Sequence, residues 1–194
     1  MQSDRTLPGS LPSPAALGYA LRMPNPAPQT ASLASRNALV LTISDRCFAG
    51  TQTDRSGPAV AAILAAAGVT VLGVHVVPDE RGQIIAALQT AIATHTALVV
   101  TTGGTGLASR DVTPEATLAV CDRLTPGLAE LMRRAGEQHT PFAALSRGVC
   151  GIAGSTLIVN LPGSPAGAES SLRSVLALLP HALELLAGNT EHED

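Results

Sequence analysis

The stretch from Leu98 to Glu115 constrains the fold most strongly, because it joins an apolar run of strand length to a glycine-rich turn and a helix start. Leu98–Thr102 has the composition of a buried strand. Thr113 at the N-cap position and Pro114 at the first helical position predict that a helix follows. A buried strand therefore delivers a polar loop to the carboxyl edge of a sheet, where open α/β sheets bind their ligands.

The glycine-rich turn, Gly103–Gly106, permits positive φ angles and brings bare N–H groups close to an anion. Thr102 and Thr105 add hydroxyl groups, and Asp111 adds a carboxylate ahead of the next helix. The turn lacks the Gly-Lys-Ser/Thr of a P-loop and the Gly-x-Gly-x-x-Gly spacing of a dinucleotide site. A tight strand-to-helix connection, in which Asp111 only favours the helix dipole, explains the same residues.

Strands and helices alternate along most of the chain, which predicts a parallel sheet covered on both faces. We predict the α/β class: a three-layer α/β/α sandwich with a mostly parallel central sheet and a small β-hairpin. The predicted strands are 38–44, 69–77 and 98–102, the predicted helices are 58–67, 81–94, 113–123, 126–136 and 166–186, with a kink near Pro180, and the predicted hairpin is 146–160.

The 194 residues, 45% of them hydrophobic, suit one sizeable core in a single domain. Residues 1–36 form a leader rich in proline and alanine, for which we predict disorder because few of its positions can be buried. We place the folded domain at 37–188 and an acidic, solvated tail at 189–194.

Composition excludes several function classes. The net charge of -3, without a basic stripe or interleaved aromatics, argues against binding of nucleic acid. No apolar run has the length of a membrane span. The three cysteines are widely spaced and indicate reduced thiols in a cytoplasmic protein, and the five histidines show no metal-ligand spacing.

Two further loops contain candidate functional groups. The loop 44–57 is longer than a strand-to-helix link requires, which suggests a working loop. Asp79 and Glu80 follow a predicted strand, and a helix-start role explains them as well as a functional role does.

Six motifs, taken together, resemble the molybdopterin adenylyltransferases, the Mog-type bacterial enzymes that are similar to the G domains of gephyrin. The resemblance covers roughly residues 37 to 188. The motifs are Ile43-Ser44-Asp45-Arg46, Val77-Pro78-Asp79-Glu80, Thr101-Thr102-Gly103-Gly104-Thr105-Gly106, Arg110-Asp111-Val112-Thr113-Pro114-Glu115-Ala116-Thr117, Leu145-Ser146-Arg147-Gly148 and Asn160-Leu161-Pro162-Gly163-Ser164-Pro165.

The resemblance implies an enzyme of molybdenum cofactor biosynthesis that joins molybdopterin and Mg-ATP into adenylyl-molybdopterin and releases pyrophosphate. It also implies a homotrimer and a molybdenum-insertase partner that receives the product. The essential, Mg²⁺-holding carboxylates fall on Asp79 and Asp111. The molybdopterin site falls on Thr102, Gly103, Gly104, Thr105, Gly106 and Ser146, and the nucleotide site on Ser44, Asp45, Asp54, Gly57, Asn160, Pro162, Gly163 and Ser164.

Arginines border four of these loops and could bind phosphates through paired hydrogen bonds. Among Arg46, Arg55, Arg110 and Arg147, we expect Arg110 and Arg147 to contact substrate, although a solvated surface role is open for each.

Two other functions stay open at this stage. The chain could be a non-catalytic molybdopterin-binding or scaffolding protein of the same fold, or a generic phosphate-binding enzyme such as a nucleotide hydrolase. Retention of both Asp79 and Asp111 favours catalysis, because a pure binder needs no pair of carboxylates to hold a metal ion.

Overall fold

The computed structural model describes residues 33–188, and its centre is a sheet of six strands. In chain order the strands are β1 Asn37–Ile43, β2 Thr70–Val77, β3 Leu98–Thr102, β4 Arg123–Leu124, β5 Cys150–Ala153 and β6 Thr156–Leu161. Their order across the sheet is β2-β1-β3-β6-β5-β4. The first four strands of this order run parallel, and β5 and β4 complete the sheet in antiparallel pairing.

Helices cover both faces of the sheet. They are α1 Asp45–Phe48, α2 Ser56–Ala66, α3 Arg81–Ala93, α4 Thr113–Leu118, α5 Pro126–Glu137, α6 Pro165–Leu176 and α7 Leu179–Leu186, with a 3-10 helix at Pro141–Leu145. Within residues 33–188, none of them has both the length and the apolar character needed to cross a bilayer. The predicted three-layer α/β sandwich is confirmed.

Two apolar cores lie on opposite faces of the sheet, because successive residues of a strand point to opposite sides. Val40, Val100 and Val159 pack in one core, with residues of α2, α5, α6 and α7. Their chain neighbours Leu41, Val99 and Ile158 pack in the other, with residues of α3 and α4. Since β3 and β6 are buried along their whole length, neither shows the alternation of apolar and polar residues that a strand with one solvent-facing side has.

The predicted hairpin is confirmed as β5 and β6, with Gly154 at a φ of 57° in its turn. Other boundaries differ from the predictions. The predicted helix 113–123 ends at Leu118, and Arg123–Leu124 instead pairs with β5. The predicted helix 166–186 is two helices, α6 and α7, with Pro180 in the first turn of the second.

The start of α4 also differs from the prediction. Val112 is its N-cap, and Thr113 is its first helical residue. The hydroxyl of Thr113 donates to the carbonyl oxygen of Gly103 at 2.9 Å. The side chain therefore fixes the glycine-rich turn and does not cap the helix.

The predictions for the leader and the tail fall mostly outside the described residues, at 1–32 and 189–194. The last four residues of the leader are part of the fold. Leu33 is buried in the first core, and the carbonyl oxygen of Arg36 accepts a hydrogen bond from the amide of Thr70 at 2.9 Å. The segment directly before β1 is thus held against the domain.

Candidate active site

The carboxyl ends of four parallel strands lie at one edge of the sheet, and each strand continues into a loop that contains one of the six sequence motifs. β1 leads to Ser44, β2 to Asp79, β3 to Gly103 and β6 to Pro162. Because parallel strands end on the same side, residues far apart in the chain converge there. This is the edge that the sequence predicts for a ligand site.

Asp45 and Asp79 hold two of these loops together through reciprocal hydrogen bonds. The amide of Asp45 donates to Oδ2 of Asp79 at 2.7 Å, and the amide of Asp79 donates to Oδ1 of Asp45 at 2.9 Å. Ser44 caps α1 by accepting from the amide of Cys47 at 3.2 Å. The carboxylate of Asp79 is consequently fixed at the end of β2, and its Oδ1 is left facing the glycine-rich turn.

The glycine-rich turn passes close to these groups. Gly103 and Gly104 have φ angles of 94° and 62°. A Cβ on Gly103 would lie 2.3 Å from the carbonyl oxygen of Ile43. A Cβ on Gly104 would lie 2.3 Å from Oγ1 of Thr113 and 3.3 Å from Oδ1 of Asp79. Both positions therefore require glycine for close packing as well as for backbone conformation.

Asp111 lies at the other end of the same loop. Its Oδ2 accepts from the amide of Ala108 at 2.8 Å and would be 2.9 Å from a Cβ on Gly106. Burial raises the pKa of Asp79, and the negative charges of Asp45 and Asp111 raise it further. The carboxylates of Asp79 and Asp111 repel each other, and a bound cation would relieve that repulsion.

Two cavities adjoin at the glycine-rich turn. The first, of about 750 Å³, lies between α5, the 3-10 helix and α6, and apolar side chains make up much of its wall. The second, of about 880 Å³, lies between the loops that follow β1, β2 and β3. Four residues line both cavities: Gly104, Asp111, Gly163 and Ser164.

The cavities divide the predicted site residues between them. The first is lined by the predicted residues Thr105, Gly106, Ser146, Asn160 and Pro162. The second is lined by Ser44, Asp45, Asp54, Asp79, Thr102 and Gly103. Asn160 and Pro162, expected on the nucleotide side, thus lie with the expected molybdopterin residues, and Thr102 and Gly103 lie on the other side.

Gly57 lines neither cavity. A Cβ there would lie 2.4 Å from Oδ2 of Asp54 and 2.4 Å from Oγ1 of Thr42. The carboxylate of Asp54 accepts from Thr42 Oγ1 at 2.7 Å and from the amide of Gly57 at 3.0 Å. These contacts pack the loop 44–57 against β1, so Gly57 shapes the loop from behind the cavity wall.

Asn160 is buried, and its side chain makes three hydrogen bonds. Its Nδ2 donates to the hydroxyls of Thr101 and Thr117, each at 3.0 Å, and its Oδ1 accepts from the amide of Val149 at 3.2 Å. The amide group therefore connects β3, α4 and the start of the hairpin beneath the first cavity.

The structure does not place the two favoured arginines on a cavity wall. Arg110 donates to Oδ2 of Asp45 at 2.6 Å and to Oε1 of Glu80 at 2.8 Å, and it is half exposed. Arg147 donates to Glu115 and to the carbonyl oxygens of Gly106 and Asp111. Both guanidinium groups already have protein partners on this surface.

Three other arginines do line the cavities. Arg46 and Arg55 line the second cavity. Arg133 of α5 lines the first, where it donates to the carbonyl oxygen of Gly148 at 3.3 Å. Our sequence reasoning missed Arg133, because it belongs to no motif and only its spacing of four residues from Ala129 could have placed it on the buried face.

Within residues 33–188, no three histidine, cysteine or acidic side chains are grouped closely enough to form a metal site by themselves. Asp111 lines both cavities and Asp79 lines the second, and each has one carboxylate oxygen engaged by a backbone amide. Mg²⁺ is commonly held by one or two carboxylates together with water and substrate phosphates. The donor set fits that ion if substrate supplies the remaining oxygens.

Comparison with known proteins agrees with the architecture. A family model described as "Probable molybdopterin binding domain" matches residues 39–181. The molybdopterin adenylyltransferase of Helicobacter pylori J99 is 42% identical over 153 residues, which cover 77% of this chain and 87% of that protein. The molybdenum cofactor synthesis protein cinnamon of Drosophila melanogaster is 43% identical over 150 residues, which cover 76% of this chain and 25% of that protein.

The fold agrees with solved structures as well. The crystal structure of the molybdopterin biosynthesis enzyme MoaB from Thermus thermophilus has a TM-score of 0.75 and 50% sequence identity, and the match covers 79% of this chain and 97% of that one. The Mog protein of Mycobacterium ulcerans has a TM-score of 0.75 and 44% identity, with coverage of 78% and 99%. This chain therefore belongs to the molybdopterin-binding domain family of molybdenum cofactor biosynthesis proteins.

Proposed function

We propose that this chain is a molybdopterin adenylyltransferase that transfers the adenylyl group of Mg-ATP to the terminal phosphate of molybdopterin. The observation that carries the proposal is the junction of two cavities at Gly104 and Asp111. An enzyme that joins two large substrates needs two adjoining sites whose reacting ends meet. Two relatives of which this chain covers 87% and 84% have this activity in their names.

In this proposal the apolar first cavity holds the pterin of molybdopterin, and the polar second cavity holds ATP. A phosphate oxygen of molybdopterin attacks the α-phosphorus of ATP and forms a new P–O bond. The bond between the α-phosphorus and the bridging oxygen breaks, and pyrophosphate leaves with that electron pair. The phosphates meet beside the backbone of Gly104 and the N-terminus of α6, where Ser164 is the N-cap.

Asp79 and Asp111 would hold Mg²⁺ at this junction. The ion, when bound, offsets the negative charge of the crowded phosphates. The chain's own contribution is to fix the acids: the Asp45 amide orients Asp79, and the Ala108 amide orients Asp111. The charges of Arg46 and Arg55 on the second cavity add attraction for the triphosphate.

The resemblance extends the proposal to the assembly and its surroundings. We propose a homotrimer in the cytoplasm that delivers its product to a molybdenum-insertase partner. Size-exclusion chromatography with light scattering measures the mass of the assembly, and a mass of one chain would contradict the trimer.

The test of activity supplies purified protein with molybdopterin, α-labelled ATP and Mg²⁺. We expect labelled adenylyl-molybdopterin and an equal amount of pyrophosphate. Asp111→Asn should abolish both and keep the fold, since the amide oxygen can still accept from Ala108. Asp122→Asn is the matched control, because Asp122 lies outside both cavities, where it accepts from the amide of Gly154.

The activity assay and binding calorimetry together separate the alternatives. ATP breakdown without molybdopterin would favour a nucleotide hydrolase. Tight molybdopterin binding in calorimetry without any transfer would favour a non-catalytic binder. Full turnover in Asp111→Asn would remove Asp111 from the mechanism.

A further inference from the structure

The segment from Gly103 to Asp111 contributes Gly104 and Asp111 to the walls of both cavities, yet it is part of neither a helix nor a strand. Its position cannot come from regular hydrogen-bonding within an element. One residue of a different loop, Arg147, supplies much of what holds it. Arg147 follows the 3-10 helix and precedes β5.

Arg147 binds this segment at three carbonyl oxygens. Its backbone amide donates to Thr105 at 2.9 Å, and its Nε donates to Gly106 at 2.7 Å. Its Nη2 donates to the carbonyl oxygen of Asp111, the residue whose carboxylate lies at the junction of the cavities. These contacts reach both the start and the end of the loop.

Glu115 completes the arrangement on the other side of the guanidinium. Its Oε1 accepts from Nη1 of Arg147, and its Oε2 is buried without a hydrogen-bond partner. The hydrogen bond from Arg147 lowers the pKa of Glu115. Because Glu115 lies in α4, it fixes the guanidinium plane against a rigid element, which directs the remaining donors at Gly106 and Asp111.

We propose that Arg147 is a positioning residue that sets the place of Asp111 by binding the main chain of its loop, and that it does not bind a substrate phosphate. Its importance for turnover rests on the adenylyltransferase function proposed above. The neighbours of Arg147, Ser146 and Gly148, line the first cavity, so this one residue links the wall of that cavity to the carboxylate at the junction. A lysine cannot reproduce the role, because one ammonium group lacks the planar fork that reaches separate acceptors.

The test compares Arg147→Met and Arg147→Lys with the wild-type protein in two measurements. The first is amide hydrogen exchange at Ala108 and Asp111, which are hydrogen-bonded within the loop. We expect exchange to be at least about tenfold faster in Arg147→Met, because the loop opens more readily. Arg134→Met is the matched control, since Arg134 is an exposed arginine of α5 that lines neither cavity, and we expect it to behave as wild type.

The second measurement is steady-state kinetics with both substrates. We expect kcat to fall by about 10- to 100-fold in Arg147→Met, because small displacements of reacting groups are costly. KM for ATP and for molybdopterin should stay within about threefold, since no ground-state contact is lost. Glu115→Gln, which removes one ionic partner and leaves the carbonyl contacts, should give a smaller fall in kcat and keeps the test available if Arg147→Met does not fold.

Three results would overturn the proposal. Unchanged amide exchange, or faster exchange with unchanged kcat, would show that Arg147 does not position Asp111 for the reaction. A large rise in KM for one substrate with unchanged exchange would show that Arg147 binds that substrate. If the wild-type protein forms no adenylyl-molybdopterin, the proposed function fails, and the exchange measurement still decides whether Arg147 orders the loop.

Discussion

Gly103 separates two explanations of the glycine-rich turn. The sequence suggests that these glycines bring the backbone close to a ligand anion, in which case an added methyl group would mainly impair binding. The structure shows that Gly103 packs against the protein itself, because a Cβ there would lie 2.3 Å from the carbonyl oxygen of Ile43. We therefore expect Gly103→Ala to reduce the stability of the apo protein.

The magnitude follows from two contributions. A φ of 94° is unfavourable for an L side chain and costs roughly 1–2 kcal/mol. The contact with a main-chain oxygen at the end of the central strand β1 cannot be relieved by a rotamer change, and such overpacking costs roughly 1–3 kcal/mol. The free energy of unfolding should therefore fall by roughly 2–5 kcal/mol.

Two other glycines isolate these contributions. Gly50 has a φ of 72° but nothing within 4 Å of an added Cβ, so Gly50→Ala should lose only about 1–2 kcal/mol. Gly82, in the first turn of α3, also has open space around it and has no positive φ, so Gly82→Ala should gain about 0.5 kcal/mol. Urea unfolding of the three variants, with unchanged m-values, measures all three effects.

The order of stability decides the question. If Gly103→Ala loses no more stability than Gly50→Ala, the contact with Ile43 is relieved without cost and the packing explanation is wrong. Normal stability together with lost ATP or molybdopterin binding would support the ligand-approach explanation.

Three further predictions concern single side chains. Asn160→Ala should lower the free energy of unfolding by roughly 2–5 kcal/mol, because the buried hydroxyls of Thr101 and Thr117 lose the hydrogen bonds that Asn160 donates to them. A loss below about 1 kcal/mol in urea unfolding would contradict this. Because the pKa of Glu115 is lower in the folded protein than its unfolded value of 4.5, the ionised carboxylate stabilises the fold at pH values above 4.5. Wild type should therefore have a higher free energy of unfolding than Arg147→Met at neutral pH, and the difference should shrink as pH falls through the folded pKa. Carboxyl-carbon NMR should show a higher pKa for Glu115 in that variant, and an unchanged pKa would refute the argument. Arg133→Ala should weaken molybdopterin binding in calorimetry while Arg134→Ala should not, and equal affinities would remove Arg133 from the first cavity's binding surface.

The architecture was predictable because its signals are local. Strands buried on both faces carry three successive apolar residues, 98–100 in β3 and 157–159 in β6, and helical segments lie between most of the strands. The convergence of Asp79, Asp111 and the glycine-rich turn follows from parallel strand order, without knowledge of any distance. These parts of the prediction need only the rule that parallel strands end on the same side of a sheet.

The errors in the helices have a different origin. The sequence from Thr113 onwards continues to favour a helix past Leu118, but the amide of Asp122 donates to the carbonyl oxygen of Ile152 at 2.8 Å and draws the chain to the sheet edge. That pairing depends on a hairpin thirty residues away in the chain. Local propensity cannot anticipate it, because the competing interaction forms only in the folded domain.

The arginines show most clearly where the sequence is insufficient. Arg110 is 65 residues from Asp45 and 30 from Glu80, and Arg147 is 32 residues from Glu115, so no local pattern identifies these partners. A guanidinium group that already donates to protein oxygens must exchange those partners before it can bind a phosphate. The exchange costs little for Arg110, whose exposed ion pairs are weak, and more for Arg147, whose acceptors would be left partly buried. If the chain binds ATP as proposed, Arg46 and Arg55, which line the second cavity, are better placed than Arg110 and Arg147 to contact its phosphates.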